Sequence, residues 1–484
     1  MKNGGRRGSG RRIALLVLGI AAVLIAIGRG PLRTTGAAER TRDDPAQVPS
    51  LAPAQAPAQR AAPRPDVIVI AIDGLGPADI GAFGGIVAQT PALDEIARTS
   101  VVYSDAYAPS PWAAESLLAA LTGRYRPAVL AGDRTPSLAE ELAHLGYRSA
   151  LIPAHERHRI SPATFAGAGE GAKLESIGFD DVLLPDGFKD AAGARAADVT
   201  ALGVEWLGRS KQPSLLVAVF GDPRPPHHRH AGLVPAADAP YEGPVRAGMD
   251  HEDLLRLAPD FDAVDRARLM ALHASEVAAA DRSVRHLIEA ARKRRGMLPV
   301  IVVVGLRAPA LGRDGRYGLL PSLAPEDLHV PFMVQFPAAR GTDRVAPLQG
   351  EIDTPVSLVD LTPTLIDALG LDPRLDVDGR SIFPGASRPS RPLCASTTRG
   401  IRAAALLVGD RALVLRCDPP IASVHARSAS FSAATGLPAA TWGAAAEVTS
   451  RDSDLRGDLG DWMTRAGVVT SEEAAELSTA PFPR

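Results

Sequence analysis

The sequence predicts an α/β protein: a mainly parallel sheet sandwiched by helices, followed by a small α+β subdomain. Val67–Ile72 is an unbroken apolar, β-branched run, which is how a strand buried on both faces reads. Runs of the same kind recur at Ser149–Ile152, Ser214–Phe220, Val300–Val304 and Val330–Phe336. They alternate with helical stretches at Pro91–Arg98, Ser137–Leu145, Arg266–Lys293 and Ser357–Leu369, and such alternation builds a parallel sheet with helical covers. After about residue 385 the pattern changes to short strands at Leu393–Thr397, Ala403–Val408 and Ala412–Cys417, then one helix near Asp454–Arg465.

Taken from the N-terminus, residues 1–12 form a basic segment with Lys2, Arg6, Arg7, Arg11 and Arg12. An uncharged run follows over residues 13–28, closed by Arg29. As a helix it reaches roughly 24 Å, somewhat short of a hydrocarbon core of about 30 Å. It reads as an uncleaved anchor in the cytoplasmic membrane, with the N-terminus inside and the folded, periplasmic part outside. A signal peptide cleaved near Gly36-Ala37-Ala38, giving a secreted protein, is the alternative. Residues 29–65, with Pro45, Pro49, Pro53, Pro57, Pro63 and Pro65 among Ala and Gln, read as an extended, disordered spacer. The main domain is placed at residues 66–385 and the C-terminal subdomain at residues 386–484.

Composition removes several functions. The chain has 484 residues, 46% of them apolar and 22% charged, with a net charge of -2, which excludes a general nucleic-acid binder. Two cysteines build neither a disulfide scaffold nor a four-cysteine zinc site. Cys394 and Cys417 fall on the first and third strands of a predicted meander, about 10 Å apart unless those strands pair directly.

Four stretches, in order, resemble the sulfatase family of the alkaline phosphatase superfamily. The first is Asp66-Val-Ile-Val-Ile-Ala-Ile-Asp73-Gly-Leu, with Thr90-Pro91-Ala-Leu-Asp94 and Tyr103-Ser-Asp-Ala106-Tyr107 downstream; the second is Leu121-Thr122-Gly123-Arg124 with Ser137-Leu138-Ala139-Glu140. The third is the helix through Ala280-Asp281, and the fourth runs from His329-Val330-Pro331 through Asp360-Leu361-Thr362-Pro363 to Asp378-Gly379-Arg380. The resemblance covers most of residues 66–385 and implies an alkaline-phosphatase-like sheet.

It also implies a chemistry: a divalent cation held by carboxylates, a hydroxyl or formylglycine nucleophile, and Arg, Lys and His to neutralise an ester oxyanion. Matched residue by residue, each part is replaced. The nucleophile position is Ala113; Glu115 and Leu117 take the proline and arginine positions, and only Ser116 fits the pattern. Ser110 and Ser116 read as helix N-caps or surface hydroxyls. Asp73 keeps a ligand position, but Gly74 stands where a second carboxylate belongs, and Leu306 and Arg307 where Asp and His belong. One carboxylate does not hold calcium or magnesium, and an arginine beside it repels the ion. Arg224 takes the place of a sulfate-binding histidine, and His227, His228 and His230 read as a solvated loop.

The resemblance with these replacements implies a sulfatase-like protein that has lost catalysis, with no cofactor and with an anionic envelope glycan or a protein as partner. The alternative is an active sulfuric- or phosphoric-ester hydrolase with a displaced calcium or magnesium site. Without a cation, buried Asp73 needs a counter-ion. Arg307 is the expected one, with Arg124 or Arg313 as substitutes; the other expectation has Asp73 capping the amides of Leu75 and Gly76.

Overall fold

The computed structural model describes residues 64–478 except residues 126–135, 159–176, 191, 313–314, 338–347, 372–375, 385–390, 398–402, 409, 418–420, 432–437, 445–449 and 466–470. The segments expected at residues 1–12 and 13–28, and nearly all of residues 29–65, lie outside the described residues, as does Arg313. Among the described residues no helix is long and apolar enough to cross a membrane.

Strand β1 (Val67–Asp73) has no exposed residue, and its alternation shows why. Val67, Val69 and Ala71 enter one hydrophobic cluster with Leu117, Leu121 and Leu306. Ile68, Ile70 and Ile72 enter a second with Trp206, Phe220 and Leu287. Successive strand side chains point to opposite faces, so a strand covered on both sides has no place for a polar residue until its end. Each of the Val, Ile, Leu and Phe side chains among these contributes roughly 1.5–3 kcal/mol by burial.

The sheet is completed by β2 (Val101–Tyr103), β3 (Arg148–Ile152), β4 (Asp181–Val182), β5 (Ser214–Phe220), β6 (Val300–Arg307), β7 (Phe332–Gln335) and β8 (Gly350–Ile352). Their order is β8-β2-β7-β6-β1-β5-β3-β4. All neighbours pair in parallel except β7, which runs antiparallel to both β2 and β6. The carboxyl ends of β1, β3, β5 and β6 therefore open onto one edge, where ligands bind in such folds.

Helices α1 (Pro91–Arg98), α2 (Ala113–Thr122), α3 (Ala196–Gly208) and α4 (Ala263–Arg294) pack on the sheet. Asp262 caps α4 by accepting from the amides of Val264 and Asp265. Asp281, inside α4 and buried, accepts from Leu93 N at 2.8 Å and Ala92 N at 3.1 Å and so anchors the start of α1. That contact explains why an acid sits on the buried face of a helix.

The C-terminal part is a five-stranded antiparallel meander: β9 (Leu393–Thr397), β10 (Ala403–Val408), β11 (Arg411–Arg416), β12 (Ile421–Phe431) and β13 (Pro438–Ala444). Helices α5 (Ser450–Arg465) and α6 (Ser471–Ser478) follow. Leu459 and Met463 of α5 join Leu406, Leu413 and Leu415 in a cluster that also holds Ala119 of α2 and Tyr125, so this sheet shares a core with the main one. Because β10 separates β9 from β11, Cys394 and Cys417 are not joined by a disulfide.

Candidate functional site

Asp73 ends β1, and the polar groups around it come from the carboxyl ends of three other strands. Arg307 ends β6, directly across the ladder from Asp73. Its Nε donates to Asp73 Oδ1 at 2.7 Å and its second terminal nitrogen to Oδ2 at 3.2 Å, a bidentate pair. The remaining guanidinium nitrogen donates to the Pro111 carbonyl at 3.2 Å, just ahead of α2. His158, from the turn after β3, places Nε2 3.0 Å from Asp73 Oδ2. Arg224, from the loop after β5, brings its Nε to 3.7 Å from the same oxygen. The side chains of Asp73 and His158 are fully buried, and those of Arg224 and Arg307 are only 4% and 7% exposed.

Burial pushes the Asp73 carboxyl up, but Arg307 first and His158 next overcome it and hold the group well below the usual carboxylate range. Burial keeps His158 neutral by lowering its pKa, so Nε2 carries the hydrogen that Asp73 accepts. Burial, followed by Arg224, lowers His155 to about 3. Arg224 itself is lowered to about 10 by burial, with Asp73 opposing. The centre is thus one carboxylate faced by two guanidiniums and a neutral imidazole, with net positive charge.

Of the two arrangements expected for Asp73, the ion pair with Arg307 forms. The cap does not: Gly76 N donates to Asp79 Oδ2 at 2.8 Å instead. Arg124, the substitute partner, bonds to Asp376. Ala113 is the first residue of α2 and buried. Ser110 and Ser116 are not surface hydroxyls: both are buried, Ser116 Oγ donating to the Ser110 carbonyl at 2.9 Å and Ser110 Oγ to Glu115 Oε2 at 2.7 Å. Leu306 is fully buried in the same cluster as Val67.

One expectation needs correction. His227 is not part of a solvated loop: it is 4% exposed and its ring meets His273 of α4 edge-on, with centroids 5.3 Å apart. His230 Nε2 lies 2.7 Å from Glu276 Oε2 and is half-buried. The long helix α4 turns its polar side chains toward this loop and covers it. His228 remains exposed. His158 was absent from the expected site, although its signal was available: two histidines, His155 and His158, just past the carboxyl end of a buried strand.

A divalent cation does not fit these residues. Both Asp73 oxygens already accept hydrogen bonds, and the next charged group is Arg224. Gly74 and Leu306 offer no side-chain donor, and the sole asparagine of the chain is Asn3. Among the described residues no three or more His, Cys, Asp or Glu side chains converge to hold a metal. Gly74 also resists repair: its φ is +84°, and a Cβ there would lie 3.1 Å from the Pro223 carbonyl oxygen. Gly74→Asp is expected to destabilise the protein by about 1–3 kcal/mol and to show no calcium binding by calorimetry. Calcium binding by that variant would mean that the loop after β5 yields.

A family model described as Sulfatase matches residues 65–371. Steryl-sulfatase of Mus musculus is 42% identical over 67 residues, 14% of this chain and 11% of that protein. Arylsulfatase A of Bos taurus is 34% identical over 104 residues, 19% of this chain and 20% of that protein. The chain thus matches a fifth or less of those relatives' length. Among solved structures, a 2-O GAG sulfatase superposes with a TM-score of 0.61 at 16% identity, covering 84% of this chain and 93% of that one. The phosphonate monoester hydrolase of Agrobacterium radiobacter gives 0.56 at 17% identity, covering 85% and 96%. An alkaline phosphatase superfamily protein from Vibrio parahaemolyticus gives 0.55 at 16% identity, covering 87% and 89%. At these identities the structural likeness speaks for the fold.

Proposed function

The chain belongs to the sulfatase family, and from that premise we propose that it is a non-hydrolysing member: a membrane-anchored, extracytoplasmic binding or partner module. The observation that carries this reading is the bidentate Asp73–Arg307 pair, reinforced by His158. Ester hydrolysis in this family asks for a cation at Asp73 to polarise the ester and a nucleophile at Ala113. Here a guanidinium fills the first place, and the second has no hydroxyl.

The near-complete burial of Asp73, Arg224 and Arg307 supports binding at the outer face of the strand ends, where exposed Glu156 and Arg157 lie over the net-positive centre, rather than at Asp73 itself. An anionic envelope glycan or an acidic face of a partner protein suits that charge. The N-terminal segment would hold the protein at the cytoplasmic membrane.

The test is turnover and metal content of the purified full chain. No hydrolysis of aryl sulfates or phosphates above background is expected, together with calcium, magnesium and zinc far below one per chain by elemental analysis. Stoichiometric metal would overturn the reading. So would chelator-sensitive turnover that survives Ser110→Ala and Ser116→Ala, since it would restore the hydrolase with a displaced metal site.

A further inference from the structure

The edge of the sheet opposite Asp73 gathers basic side chains around an exposed leucine. Strands β1, β2, β5 and β6 run in one direction, so the residues that precede them share an edge. Arg64 precedes β1, Arg98 precedes β2, Lys211 precedes β5, and Lys293, Arg295 and Leu298 precede β6. Hydrogen bonds make the patch continuous. Arg295 donates to the Arg64 carbonyl at 2.9 Å, Arg64 to the Leu145 carbonyl at 2.8 Å, and Arg294 to the Gln212 carbonyl at 2.9 Å. Arg292 reaches Gln335 at 3.0 Å, and Gln335 in turn bonds to Thr99 beside Arg98.

Acids offset this edge only in part. Among the described residues, Asp66 serves both Arg294, at 2.7 Å, and Arg295, at 3.4 Å, Asp181 at the start of β4 takes Arg148 at 2.8 Å, Glu205 pairs with Arg209, and exposed Glu289 lies one turn before Lys293. Glu95 lies 3.7 Å from Arg292 and 4.0 Å from Arg285. Arg98, Lys211 and Lys293 are exposed, and Leu298 is 53% exposed among them. An exposed leucine on the same sheet edge as exposed lysine and arginine is matched by an anionic lipid surface: headgroups meet the cations while the leucine enters the interface. The patch also lies where the described chain begins, and residues 29–63 join Arg64 in sequence to the apolar run at residues 13–28.

We infer that this edge rests on an anionic phospholipid bilayer; the inference rests on the membrane anchoring proposed above. It deepens that reading by fixing orientation. At about 3.3 Å per residue, β1 carries the chain roughly 20 Å from the lipid-facing edge to Asp73, so the strand-end face with Arg157 points away from the membrane toward its ligand.

The test uses the full chain reconstituted into vesicles of phosphatidylcholine alone or with roughly one third phosphatidylglycerol. Flotation with the phosphatidylcholine vesicles reads the anchor; a chain that does not float removes both the anchor and this inference. In floated protein, brief lysine acylation followed by mass spectrometry compares Lys211 and Lys293 with Lys189, which lies beyond β4 at the opposite edge. Lys211 and Lys293 should react at about one fifth of the rate on the anionic vesicles while Lys189 is unchanged. The difference should vanish near roughly 1 M salt, where the screening length is about 3 Å. Leu298→Asp should weaken the protection without moving the urea unfolding midpoint. Equal reactivity on the two vesicle types, with flotation intact, overturns the orientation and leaves the anchor standing. Equal protection by soluble dextran sulfate overturns the lipid in favour of a polyanion.

Discussion

Asp73→Asn is expected to lower the free energy of unfolding by about 4–5 kcal/mol, more than the roughly 3 kcal/mol expected for Arg307→Ala. The asymmetry follows from the count of charges. Removing the carboxylate takes from buried Arg307 both of its carboxylate bonds and from buried Arg224 its nearby Asp73 oxygen, whereas removing Arg307 leaves Asp73 with His158 at 3.0 Å and Arg224 at 3.7 Å. The two effects should not add, because the double variant Asp73→Asn/Arg307→Met removes both charges of the bidentate pair at once. The pH dependence has a definite sign. Asp73 has a depressed folded pKa, so its stabilisation is complete above the ordinary carboxylate range and is lost as the pH falls below about 4. Urea unfolding at neutral pH and across that window checks both claims. An Arg307→Ala effect under about 1 kcal/mol would show that solvent, not the guanidinium, compensates Asp73.

The central strands were legible because burial on both faces leaves no alternative residue choice: Ser214–Phe220 is apolar after its first residue and forms β5 over those same bounds. The direction of β7 was not legible, since an apolar run looks the same in either orientation. Strands β12 and β13, rich in Ala, Ser and Thr, carry only the weak alternation of small residues such as Ala422, Val424 and Ala426 and were missed, as was α3.

At the site, Arg307 could be placed beside Asp73 because the family resemblance aligns it with a former ligand position at a strand end, and the structure shows the reason: β1 and β6 are parallel neighbours that end together. His158 could not, because its position depends on how the turn after β3 folds back. His227 was misjudged for a related reason: three histidines in a Pro-rich stretch are polar by composition, and only the packing of α4 across them buries the first.

Asp360→Ala is expected to destabilise the protein by about 3–5 kcal/mol, through an ion pair far from the sequence signals of the site. Asp360 is 1% exposed and opens the helix at Leu361–Ala368. Its Oδ2 accepts from Ser357 N at 3.0 Å and its Oδ1 from Arg380 N at 2.8 Å, while the Arg391 guanidinium also reaches Oδ1. One carboxylate thus ties the entry of that helix, the Asp378-Gly379-Arg380 turn and the approach to β9, joining the main sheet to the C-terminal meander. Alanine abandons the buried amide of Ser357, the partly buried amide of Arg380 and a guanidinium at once. Asp360→Asn keeps an acceptor for the amides and should lose less than the alanine variant. Arg391→Met should cost least, because Arg391 is partly exposed and its loss leaves the carboxylate its two amide donors. Urea unfolding of the three variants ranks them. An arginine variant as unstable as Asp360→Ala would mean that the ion pair, and not the amide bonds, holds the two sheets together.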